Sequence, residues 1–148
     1  MTPSSTGEQA KGKTPRRFRV LLADDSEAVI REIELLLADD FEIVGKAANG
    51  QALVEEAARL RPDLIVTDLE MPGMNGLEAS REALRINPGQ PILLLTAHPD
   101  PRLAHEALEA GISGYVLKFS AAEELIPAAQ GALRGETFIS PGVDLPVY

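Results

Sequence analysis

The chain of 148 residues contains no cysteine and no tryptophan. Disulfides and thiolate metal sites are therefore excluded. Aromatic residues make up 4% of a composition that is 45% hydrophobic, so any core must be aliphatic. No apolar run approaches the roughly 18 to 20 residues of a membrane span, and the N-terminus lacks the apolar stretch of a secretory signal. No membrane contact is expected, and the cytoplasm is the expected compartment. The only two histidines, His98 and His105, do not have metal-ligand spacing and read as surface residues.

What remains is enough for one ordinary domain with short extensions. The net charge of −9 hides an asymmetry. Lys11, Lys13, Arg16, Arg17 and Arg19 precede Val20, together with a single acid, Glu8; the rest of the chain holds nine basic and 22 acidic residues, a net −13. Such a body repels nucleic acid, and a charge run in a Pro/Ser/Thr/Gly-rich terminus reads as a solvated leader, residues 1–16.

That leader contains GEQAKGKT, Gly7 to Thr14, which fits the phosphate-loop pattern G-x-x-x-x-G-K-[ST]. With LIVTD resembling a Walker B strand, a P-loop NTPase is an alternative. A phosphate loop must leave a buried strand and open a helix, yet MTPSST is no strand and PRRFRV is no helix.

From Arg19 onward the hydrophobic period switches between strand-like and helix-like. Short apolar runs at FRVLLA (18–23), EIVGKAA (42–48), DLIVTD (63–68), PILLLTA (91–97) and GYVLK (114–118) read as five strands. Between and after them lie helical segments. The first is capped by Ser26 with a stripe of Val29, Ile33, Leu36 and Leu37; QALVEEAARL, NGLEASREALRI, DPRLAHEALEA and AAEELIPAAQGALR supply the others. Pro127 falls in the first two turns of the last. The alternation predicts an α/β fold with a parallel sheet and helices on both faces, and its chemistry belongs beyond the carboxyl ends of the strands.

Those ends are Asp24-Asp25, Asp68, Thr96 and Lys118. Three carboxylates at one edge repel unless a cation shares the space, and a hard ion such as Mg²⁺ suits oxygen donors and also accepts a phosphate oxygen. A hydroxyl and an ammonium on the far side could hold the other oxygens of a phosphoryl group. Asp68, on the expected central strand, is the candidate nucleophile. Each residue has a plainer reading: Asp24, Asp25 and Ser26 as helix-start residues, Asp68 as a turn former before MPGMNG. Five such residues in one β/α register favour the functional one.

LLADDS, VTDLEMPGMNG, LLLTA and GYVLK resemble the receiver domain of two-component response regulators over residues 17–135. The resemblance implies a CheY-like (flavodoxin-like) doubly wound sheet of five parallel strands in the order 2-1-3-4-5. It makes Asp68 the acceptor of a phosphoryl group from a histidine kinase or phosphotransfer protein. Mg²⁺ is held by Asp25, Asp68 and the backbone carbonyl of Glu70, with Asp24 nearby; Thr96 and Lys118 bind the phosphoryl group. Pro72 and Gly76 belong to the following loop and helix start. Such a domain is a phosphoacceptor acting on itself, not an enzyme in the ordinary sense. Tyr115 corresponds to the switch aromatic that turns inward and remodels a protein-interaction face, against the alternative of a strand aromatic with its hydroxyl in water. Ala97 leaves room beside the phosphoryl group.

Some positions depart from the pattern. Phe119 stands where many receivers have proline, so no cis peptide is expected there, and Glu70 and His98 occupy sites that tune phosphoryl lifetime. A calcium-loop reading of the stretch from Asp68 is broken by Pro72 and Ala79. The final helix and GETFISP resemble the NarL/FixJ group, which continues into a helix-turn-helix. Residues 136–148 are accordingly expected to be a tail or truncated linker, with no DNA-binding element in this chain. The alternative is the receiver portion of a longer transcription regulator. The resemblance also allows a homodimer on phosphorylation.

Overall fold

The computed structural model describes residues 17–143. The phosphate-loop pattern lies outside the described residues. Strands β1 (Phe18–Ala23), β2 (Phe41–Ala47), β3 (Leu64–Asp68), β4 (Ile92–Thr96) and β5 (Gly114–Leu117) alternate with helices α1 (Glu27–Leu37), α2 (Gly50–Leu60), α3 (Gly76–Ile86), α4 (Pro101–Glu109) and α5 (Ala121–Leu133). A short 3₁₀ turn, Lys118–Ser120, joins β5 to α5. The sheet is parallel throughout, in the order β2-β1-β3-β4-β5-β6.

The sixth strand corrects the expected five. β6 is only Phe138–Ile139, paired parallel with Gly114 and Tyr115 on β5, and it comes from the segment read as a tail. Two residues carry no periodicity to detect. The pairing depends on β5, which is distant in sequence.

β3, β4 and β5 are buried along their whole length, which explains their continuous apolar runs. Successive residues feed opposite cores. Leu21, Ile65, Leu94, Tyr115 and Leu117 pack against α2, α3 and α4; Val20, Leu22, Val66, Leu93, Leu95 and Val116 pack against α1 and α5. On α1 the buried residues are Ile30, Ile33 and Leu37, whereas Val29 and Leu36 are only half-buried. The stripe is thus rotated from the expected one toward Ile30.

Side-chain caps start four helices: Ser26 on α1, Asn49 on α2, Asn75 on α3 and Asp100 on α4. At α3 the cap is reciprocal, since Asn75 and Glu78 each accept the other's amide. This cap closes the loop that follows Asp68, and a Gly76 amide bond to the Leu69 carbonyl at 2.8 Å ties the loop shut.

Candidate functional site

Strand register assembles the acidic corner. Ala23 pairs with Thr67, so Asp24 and Asp68 emerge side by side; Asp68 pairs with Leu95 and Thr96 with Leu117, which sets Thr96 and Lys118 on the next two strand ends. Asp24 and Asp68 are each 5% exposed, whereas Asp25 is exposed. Carboxylate oxygens of Asp24, Asp25 and Asp68 lie within 4.8 Å of one another. The Lys118 ammonium bridges the two buried acids, 3.3 Å from Asp24 Oδ2 and 3.2 Å from Asp68 Oδ1.

Burial, and then repulsion from Asp24, push the Asp68 carboxyl above its usual range, against the pull of Lys118 and a hydrogen bond from the Glu70 amide. Burial draws the Lys118 ammonium down, but Asp68 and Asp24 outweigh it and the net shift is upward. Lys118 is therefore held as a cation. The helix-start reading of Asp24 and Ser26 is also present in the structure: Asp24 Oδ1 accepts the Ser26 amide at 2.9 Å, and Ser26 Oγ accepts the Val29 amide. Local capping orients the aspartate that faces the corner.

Thr96 is fully buried and its hydroxyl accepts the His98 amide at 3.1 Å. Tyr115 is buried as well, and its hydroxyl donates to the His98 carbonyl at 2.7 Å. The phenol is thus satisfied inside the protein. Its pKa is pushed up, chiefly by burial, with the Asp100 amide and the neighbouring Thr96 hydroxyl acting the other way. Glu70 is exposed, and its carboxylate meets His98 Nε2 at 2.6 Å, joining the loop after β3 to the loop after β4. His105 pairs with Glu109 at 3.4 Å on the surface of α4. The Glu70–His98 contact has no signature in the sequence, since 28 residues separate the partners and only the fold brings them together.

Gly50 and Gly76 set how closely the backbone packs here. A Cβ on Gly76 would lie 2.0 Å from the Asp68 carbonyl oxygen, and one on Gly50 would lie 2.2 Å from that of Met74. Both helix starts press on the end of β3 and the loop that follows Asp68.

A family model described as the response regulator receiver domain matches residues 20–130. The chain belongs to that family. Among relatives, the receiver is 36% identical over 127 residues to the transcriptional regulatory protein YdfI of Bacillus subtilis (strain 168), covering 84% of this chain and 59% of the relative. Among solved structures it is similar to a two-component response regulator of the LuxR family from Aurantimonas sp. SI85-9A1, with a TM-score of 0.83, 32% identity, and 86% and 93% of the two chains covered. The isolated REC domain of RcsB from Salmonella enterica serovar Typhimurium, solved in the presence of phosphomimetic BeF3-, gives a TM-score of 0.78 at 28% identity over 86% and 96% of the chains. The receiver spans about three-fifths of the length of the first curated relatives it matches. Among the described residues no helix is long and apolar enough to cross a membrane.

Proposed function

We propose that Asp68 is the phosphoacceptor of this receiver, and that it takes its phosphoryl group from a phosphohistidine on a histidine kinase or phosphotransfer protein. The carrying observation is the lysine bridge: a cation shared by two buried carboxylates beside a third, exposed one. An Asp68 carboxylate oxygen attacks phosphorus as the P–N bond breaks. The donor imidazole keeps the bonding pair and takes a proton from the medium, leaving an acyl phosphate on Asp68. Lys118 then holds a phosphoryl oxygen, and the Thr96 hydroxyl holds another.

The donor set fits Mg²⁺. All candidate ligands are hard oxygens, and their spread within 4.8 Å is near the roughly 4 Å that opposite ligands of an ion with about 2.1 Å bonds would span. Asp24, Asp25 and Asp68, with the Glu70 carbonyl, are the residues that would hold it. The ion would supply charge neutralisation for the incoming phosphoryl oxygens. Phosphorylation replaces the single negative charge of the Asp68 carboxylate by a phosphoryl group carrying close to two, beside Lys118 and Thr96. Thr96 and Tyr115 converge on His98, through its amide and its carbonyl, so a shift of the Thr96 hydroxyl reaches the Tyr115 side chain and the interaction face around β5. Dimerisation on phosphorylation is one form that such an output takes.

Acetyl phosphate with Mg²⁺ is expected to label the wild type and not Asp68→Asn. Full labelling of the variant at the same site would remove the assignment.

A second reading is favoured by the relatives. YdfI is named a transcriptional regulatory protein and the present chain spans only part of its length, so the receiver is proposed as the regulatory portion of a longer DNA-binding regulator. A helix-turn-helix encoded in frame after Tyr148 would establish it, and a stop codon there would remove it.

A further inference from the structure

Ser140 follows β6 directly and is wholly buried. Its amide donates to the Tyr115 carbonyl at 3.0 Å, continuing the β5–β6 ladder by one step. Its hydroxyl then does what a further strand residue would have done. It accepts the Leu117 amide at 2.9 Å and gives its own proton to the Glu124 carboxylate in the first turn of α5. The next turn secures this arrangement: the Val143 amide donates to the Ser140 carbonyl at 2.9 Å and Val143 is buried beneath it. Gly142 packs so closely that an added Cβ would lie 2.9 Å from Leu117 Cδ1.

Leu117 immediately precedes Lys118, whose ammonium must reach back from the start of the 3₁₀ turn to Asp24 and Asp68. A lysine side chain has a long flexible stem, so where its charge rests depends on how firmly its backbone is anchored. On the side of β5 facing away from β4, that anchor is Ser140. Glu124 ties the same hydroxyl to the helix that leaves the turn, so the amide of the residue before Lys118 and the helix after it are fastened to one atom.

We infer that Ser140, supported by Glu124, is a positioning residue for Lys118, and that segment 138–143 is thereby part of the phosphoacceptor machinery. The inference rests on Asp68 being the acceptor.

The test is a double-mutant cycle on the rate of Asp68 labelling by acetyl phosphate with Mg²⁺, using the wild type, Ser140→Ala, Lys118→Ala and the double variant. Loss of one buried hydrogen bond predicts labelling about tenfold slower in Ser140→Ala. In the Lys118→Ala background the same substitution should add nothing, because its effect passes through the lysine. A purely structural role would slow both backgrounds alike. Equal slowing in both, or wild-type labelling by Ser140→Ala, overturns the inference. Should Ser140→Ala fail to fold, Glu124→Ala runs the same cycle from a half-buried helix position, with slowing of about threefold expected in the presence of Lys118 and none in its absence. A wild type that takes no label overturns the acceptor reading and the positioning role with it, and is told apart from failure of the positioning role alone because there the wild type labels normally.

Discussion

Replacing Asp68 by asparagine should stabilise the fold while abolishing the chemistry. Asp68 is 5% exposed, and its carboxyl is held above the ordinary range first by burial and then by Asp24. The carboxylate oxygens lie within 4.8 Å, so at an effective dielectric constant near 20 the Asp24–Asp68 repulsion is about 3.5 kcal/mol. The Lys118 ammonium, 3.2 Å away, returns about 5 kcal/mol on the same scale. Desolvation consumes that difference and more, since the net shift is upward. An amide of nearly the same shape removes the desolvation of a charge and the repulsion together, and leaves Lys118 paired with Asp24. The expected gain at pH 7 is on the order of 1 kcal/mol, a rise in Tm of roughly 3–6 °C for a domain of this size. The sign with pH follows from linkage: a carboxyl whose folded pKa is raised destabilises the fold once pH rises above its unfolded value, and does nothing below it. The advantage of Asp68→Asn should therefore be present at pH 7 and fade as pH falls toward about 4. Thermal unfolding in a chelating buffer across that range measures it. A variant less stable than the wild type at pH 7, or an advantage unchanged at pH 4, would refute the account of the corner as a region of electrostatic stress.

Gly76→Ala must displace the Asp68 carbonyl that its methyl would meet at 2.0 Å, and is expected to lower stability by about 3 kcal/mol or more and to impair labelling; calorimetry showing an unchanged Tm would contradict this packing. Tyr115→Phe leaves the His98 carbonyl without its phenol donor and should cost about 1 kcal/mol in denaturant unfolding while the protein still takes label. Loss of label in that variant would place Tyr115 in the acceptor step rather than downstream of it.

Most of the fold could be read from the sequence because its signals are local. Strands that are buried on both faces announce themselves as apolar runs, and β1 matches its expected limits of residues 18–23. The corner could be read because a parallel sheet delivers every strand end to the same side, so strand order alone places Asp24, Asp25, Asp68 and Lys118 at one edge. What escaped depends on tertiary packing. β6 exists because β5 offers it an edge, and Ser140 in a Ser-Pro-Gly sequence looks like any turn residue. The partner of the Tyr115 hydroxyl is a backbone carbonyl, which no side-chain pattern encodes. The rotation of the α1 stripe toward Ile30 reflects how that helix lies against β1 and α5, a choice that several apolar neighbours on the helix left open.

One lysine among three carboxylates leaves a formal charge of −2 in the corner, the amount that one divalent cation cancels. Converting the Asp68 carboxylate into an acyl phosphate replaces one negative charge by close to two and so restores part of the deficit. Cation and phosphoryl group would therefore raise each other's affinity, and by linkage they must do so by the same factor. The corner would then act as a coincidence detector, in which cation and phosphoryl group each favour the other's presence.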